Sequence, residues 1–186
     1  MVESNRKPKW LRKAAIAGDA ARIRELLAEG APVETPDENQ KTPVMLAAQS
    51  GNWDAFKALV DAGANLHHLA LTKMDLLECA AAGGNVEIIQ FLLDQGLPIE
   101  GHWKKSDWKS KELQRLGHLT PLNMAAIYGN VEAVRFLLKA GANPKAMYDD
   151  ETPLLRVQQM ILYPINDEQI AKKADFEAIV ALLEGL

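Results

Sequence analysis

The chain has 186 residues, 48% of them hydrophobic and 25% charged, the balance of a folded protein rather than a disordered one. Its net charge of −4 argues against general attraction to nucleic acid or to an anionic membrane, so neither is an expected partner. Cys79 stands alone, which excludes an internal disulfide, and no apolar run reaches bilayer length.

Residues 1–8 read as a polar, basic tail with no apolar segment behind it. No signal peptide is legible there, and a cytoplasmic setting is expected; a periplasmic or exported setting is the alternative if a signal has been removed. A repeating pattern then begins. Lys13-Ala14-Ala15 leads to Gly18-Asp19, an aliphatic stripe at Ile23, Leu26 and Leu27, and Gly30. The second copy is the clearest. Thr42-Pro43 suits the first turn of a helix, because proline has a preset φ and no N–H to lose. Leu46-Ala47-Ala48 makes a slim apolar helix, Gly51 ends it, and Asn52 is placed to cap the next. Phe56, Leu59 and Val60, at offsets of 0, 3 and 4, predict a second helix with one apolar face, and Gly63 stops it.

The third copy carries Cys79-Ala80-Ala81, Gly84-Asn85, Ile89, Leu92, Leu93 and Gly96, with Asp75-Leu76 in place of Thr-Pro. The fourth has Thr120-Pro121, Met124-Ala125-Ala126, Gly129-Asn130, Val134, Leu137, Leu138 and Gly141. The last opens at Thr152-Pro153 and closes with Ile179, Leu182, Leu183 and Gly185. Units are therefore expected at 9–40, 41–73, 74–119, 120–151 and 152–186. A single unit buries a handful of aliphatics at about 1.5–3 kcal/mol each, too little to order some thirty residues, so stability must come from stacking.

Two breaks interrupt the period. The Gly-Asn step from unit three to unit four is 45 residues where the earlier steps are 33, and the excess falls at 101–118. That stretch holds Trp103, Trp108, Lys104, Lys105, Lys109, Lys111 and Arg115 against Asp107 and Glu112. Tryptophan and arginine are common interface anchors, so a finger that touches a partner is one reading; a loop that packs back on the repeats is the other. In the last unit, Arg156 to Ala174 is longer than one helix needs, and Tyr163-Pro164-Ile165-Asn166-Asp167 reads as a loop in a modified C-terminal cap.

No Gly-rich phosphate loop, metalloprotease helix or nucleophile elbow is present, and no cofactor, metal or catalytic residue is assigned. Cys79 stands where sister units have leucine or methionine, the place of a core packer rather than a nucleophile.

Thr42-Pro43-Val44-Met45-Leu46-Ala47-Ala48, Thr120-Pro121-Leu122-Asn123-Met124-Ala125-Ala126 and the run from Gly129 to Asn143 resemble the ankyrin repeat. The resemblance covers about residues 9–186 and implies an all-α solenoid of five helix–turn–helix units. Hairpin loops would join the units, with insertions between the third and fourth and within the last. It implies no enzymatic activity, and a monomer that binds another protein through hairpin tips and the exposed side of each first helix. On that basis Tyr128, Ile127, Met45, Gln49, Glu78 and Asn123 join Trp103, Trp108, Lys104, Lys105 and Arg115 as candidate partner-binding residues. Small free-standing ankyrin proteins of bacteria include inhibitors and immunity-type proteins, so a hydrolase is one expected partner. A scaffold or assembly adaptor is the alternative.

Overall fold

The computed structural model describes residues 6–102, 119–148 and 150–186. Among these residues the secondary structure is eleven helices with no strand, and one isolated bridge joins Tyr148 to Glu151. The helices are α1 (Lys7–Ala17), α2 (Ala20–Ala28), α3 (Pro43–Gln49), α4 (Trp53–Asp61), α5 (Leu76–Gly83) and α6 (Val86–Asp94). They continue as α7 (Pro121–Ile127), α8 (Val131–Lys139), α9 (Pro153–Leu162), α10 (Asp167–Ala171) and α11 (Lys173–Glu184). The array is thus an all-α solenoid of helix–turn–helix units, as the period and the ankyrin resemblance led one to expect. Helix α1 begins at Lys7, so the last two residues of the expected tail are helical; Pro8 accounts for this, standing in the first turn where proline is well tolerated. No helix among the described residues is long and apolar enough to cross a membrane.

Thr42, Thr120 and Thr152 are extended N-caps, each followed by proline at the first helical position. Thr120 Oγ1 accepts the N–H of Asn123 at 3.2 Å, and Thr152 Oγ1 that of Leu155 at 3.3 Å. In the third unit Asp75 does the same work by a capping box: Asp75 Oδ1 accepts Glu78 N–H and Glu78 Oε2 accepts Asp75 N–H, both at 2.9 Å.

The second helices bury one aliphatic of each doublet fully and leave the other at the flank. Leu26, Leu59, Leu92 and Leu137 are inaccessible, while Leu27, Val60, Leu93 and Leu138 are only partly covered. A step of 100° per residue explains the split. In α11 the order is reversed, with Leu183 buried and Leu182 at the flank, because its core face runs through Phe176 and Ile179.

A side-chain bridge recurs at the junctions between units. Asn52 Nδ2 donates to Ile16 O at 2.9 Å, Asn85 Nδ2 to Gly51 O at 3.0 Å, and Asn130 Nδ2 to Ala81 O and Ala82 O at 2.9 and 2.8 Å. Each asparagine satisfies carbonyls at the end of the preceding unit's first helix, groups that have no partner within that helix. At the last junction Lys172 takes this part, its Nζ donating to Tyr128 O at 2.9 Å. In the first unit the position is Asp19, which cannot donate and instead accepts Arg22 N–H at 2.9 Å.

Between units the chain turns back in short hairpins. Gln40, Lys73 and Asp150 occupy their tips at φ of 60°, 63° and 60°. Neighbouring hairpins are tied where Leu71 N–H donates to Asn39 O at 2.8 Å.

Candidate functional site

The ends of the first helices present Gln49, Ile127 and Tyr128 to solvent or partly so, with Ile16 in the equivalent place of unit one. Gln49 is not idle: its Oε1 accepts from Lys41 Nζ at 2.7 Å, which fastens the hairpin tip to α3. Tyr128 is 38% exposed, and its carbonyl is held by Lys172. The extra turn of the last unit, α10, rises beside it. Together with Ile127, Met160 and Phe176 and the polar Asn166, Glu168, Gln169 and Lys172, they line a cleft of ≈ 140 Å³. Sequence reading named Ile127 and Tyr128 as candidates but not this wall, because Lys172 lies outside the repeating Gly-Asn register.

Three other candidates are corrected. Met45, Glu78 and Asn123 are 0%, 1% and 2% exposed and do not lie open on the face. The reason is visible at the sister position Arg12, whose guanidinium donates to Thr35 O and Pro36 O at 3.1 and 3.2 Å. Asn123 Nδ2 likewise donates to Ala146 O at 3.4 Å. At Arg12 and Asn123 the hairpin that follows the unit closes over this position, which there anchors the hairpin. Gly83, near the end of α5, has a packing cause. A Cβ there would meet Ala48 O at 2.1 Å, so glycine is what lets α5 pack against the end of α3.

Trp103, Trp108, Lys104, Lys105 and Arg115 lie outside the described residues. The residues at the root of their segment are described. His102 N–H donates to Asp75 Oδ2 at 2.9 Å, and its Nδ1 stands 3.5 Å from the same oxygen. Asp75, Glu78 and His102 bring one ligand atom each within 4.8 Å of one another, a spacing a metal ion could span. The chemistry favours a cap instead. Asp75 Oδ1 and Glu78 Oε2 already accept N–H groups of the first turn of α5, where the helix dipole opposes a cation. Burial, and next the charge of Asp75, push the Glu78 carboxyl up to about 9, so it is neutral at pH 7. Cys79 beside it is fully buried, and burial raises its thiol pKa, the opposite of what a nucleophile needs.

Trp53 joins the packing. Its ring stacks on Phe56 and meets Phe91 edge-on, both at 5.9 Å between centroids, and Phe56 and Phe91 are 5.6 Å apart.

A family model described as ankyrin repeats (3 copies) matches residues 11–101 and 76–157. The chain is 34% identical over 90 residues, 48% of its length, to the transient receptor potential cation channel subfamily A member 1 homolog of Caenorhabditis elegans. It is 29% identical over 88 residues, 47% of its length, to inversin of Danio rerio. These matches span 7% and 9% of the two relatives. Period, caps, interunit asparagines and family model agree, and the chain belongs to the ankyrin repeat family.

Proposed function

We propose that this ankyrin array, an interaction module by family, binds a partner protein through Ile127, Tyr128 and the cleft beside them. Gln49 and the 101–118 segment with Trp103, Trp108, Lys104, Lys105 and Arg115 extend the contact. The observation that carries the reading is a partly exposed aromatic at a cleft of mixed apolar and polar lining, fixed on both sides. Lys172 holds the Tyr128 carbonyl, and the α7 cap holds the helix before it. Rigid aromatic groups beside apolar depressions lose little conformational entropy on binding, which is why they dominate interface energetics.

The mode of action we favour is steric: a stiff face occupies the partner and blocks it, as an inhibitor or immunity-type protein blocks a hydrolase. Catalysis forms no part of the proposal: Glu78 is occupied in the cap of α5, and it and Cys79 are buried away from solvent. The alternative is a scaffold that docks a partner without changing its activity.

The test is affinity capture from native lysate with the wild type, with Tyr128→Asp, and with residues 101–118 replaced by a short Gly-Ser linker. A specific partner retained by the wild type and lost by both variants supports the reading. Equal capture by all three defeats it. If the partner is an enzyme, its turnover with saturating ankyrin protein separates inhibitor from scaffold.

A further inference from the structure

The two ends of the stack are built differently. At the N-terminal end, positions that sister units bury have turned polar. Lys13 stands where Leu46, Cys79 and Met124 are buried, and Arg22 where Ala55, Ile88 and Ala133 are buried. What remains between α1 and α2 is an open groove of ≈ 350 Å³ lined by Trp10, Lys13, Ala14, Ala17, Asp19 and Arg22. The Arg22 guanidinium lies 6.0 Å over the Trp10 ring. Residues 7–28 carry six Lys or Arg against Asp19 and Glu25. Asp19 stands where sister units have the asparagine that bridges back to a preceding unit, and it adds an acceptor at the rim of the groove.

The C-terminal end has the opposite character. The segment 163–171 projects Tyr163, Ile165 and Ile170, which are 76%, 84% and 59% exposed. Its charges are Asp167 and Glu168, and it holds no base. Apolar side chains this exposed on an ordered turn call for cover.

We infer that the acidic, apolar tip at 163–171 of one copy docks in the basic, Trp10-lined groove of a second copy, joining the chains head to tail. Ile165 and Tyr163 would meet Trp10 and the small Ala14 and Ala17. Asp167 and Glu168 would face Lys13 and Arg22. The competing pairs within each copy, Arg22 with Glu25 at 2.9 Å and Glu168 with Lys172 at 3.0 Å, are surface pairs of small worth. A heterologous contact of this kind does not close on itself, so assembly grows with concentration rather than stopping at a dimer. The inference departs from the monomer expected from sequence, and its tip shares α10 with the wall of the Tyr128 cleft.

Sedimentation velocity on the full chain tests it. In about 20 mM salt the mean mass rises with protein concentration; in about 0.5 M salt, where exposed charges are screened within a few ångströms, it returns to that of the monomer. Lys13→Glu/Arg22→Glu and Asp167→Lys/Glu168→Lys each remain monomeric, with helical circular dichroism unchanged. Mixed together they associate again and grow with concentration, because each tip then meets a groove of opposite charge. The single variants Lys13→Glu and Asp167→Lys repeat the experiment without touching the Arg22–Trp10 contact. A wild type that stays monomeric up to about 1 mM in low salt overturns the inference. So does association that survives both double variants.

Discussion

At the scale of single residues, Glu78 gives the sharpest prediction. Its carboxyl rises from 4.5 in the unfolded chain to about 9 in the fold, chiefly by burial and next by Asp75. A raised pKa means the folded state binds the proton more tightly. The contribution is therefore complete below about 4.5 and is lost progressively as pH climbs through about 9. Wild-type stability should fall between those limits by up to about 1.4 kcal/mol per pH unit. Glu78→Gln keeps an oxygen for the Asp75 N–H and removes the titration, so its denaturation midpoint should be flatter across this window. Parallel curves for the two proteins would show that Glu78 does not titrate there. Gly83 offers a second test. Gly83→Ala drives a methyl into Ala48 O and should cost about 1–3 kcal/mol or more, whereas Gly185→Ala meets only ordinary contacts and should be near neutral. Thermal denaturation reads the difference. Both residues also mark what sequence leaves hidden. Glu78 and Gly83 sit on a helix whose period was plain, but the burial of the one and the close approach of Ala48 O to the other come from tertiary packing, which no local spacing encodes.

Among the elements, the Gly-Asn turn between paired helices was legible because it repeats, and repetition turns a weak local signal into a strong one. Its second role was not. Asn85 Oδ1 caps α6 by accepting Glu87 and Ile88 N–H, while its Nδ2 reaches Gly51 O in the unit before. The cap could be read from one unit, but the bridge needs two units in place. Asn85→Asp keeps the cap and deletes the bridge; Asn85→Ala deletes both. Asn85→Asp should cost about 1 kcal/mol and Asn85→Ala about 2 kcal/mol or more, measured by urea denaturation. If Asn85→Asp matches the wild type, the interunit bond contributes nothing net. The candidate site divides along the same line. Ile127 and Tyr128 follow from register alone, whereas the wall of their cleft comes from α10, a segment that breaks the register, and so it could be found only in three dimensions.

At the scale of the whole molecule, the described residues form a column of layers packed chiefly on their neighbours, and stability should be correspondingly local. Helices α9 and α11 bury Val157, Phe176 and Ile179 against the layer of α7 and α8, while α1 to α4 lie at the other end of the array. Phe176→Ala removes a fully buried ring and should cost about 3–5 kcal/mol, enough to open the last unit. Because nothing in α1 to α4 depends on that ring directly, amide exchange there should slow or quicken little. Exchange in α9 to α11 should accelerate by orders of magnitude, and α7 and α8, which lose one covering layer, should respond in between. Hydrogen exchange by mass spectrometry resolves these three zones. A graded profile, falling off with distance along the stack, is the signature of nearest-neighbour cooperativity. Uniform acceleration across all units would instead mean that the array unfolds as one body, and that the layers are coupled far more tightly than their shared faces imply.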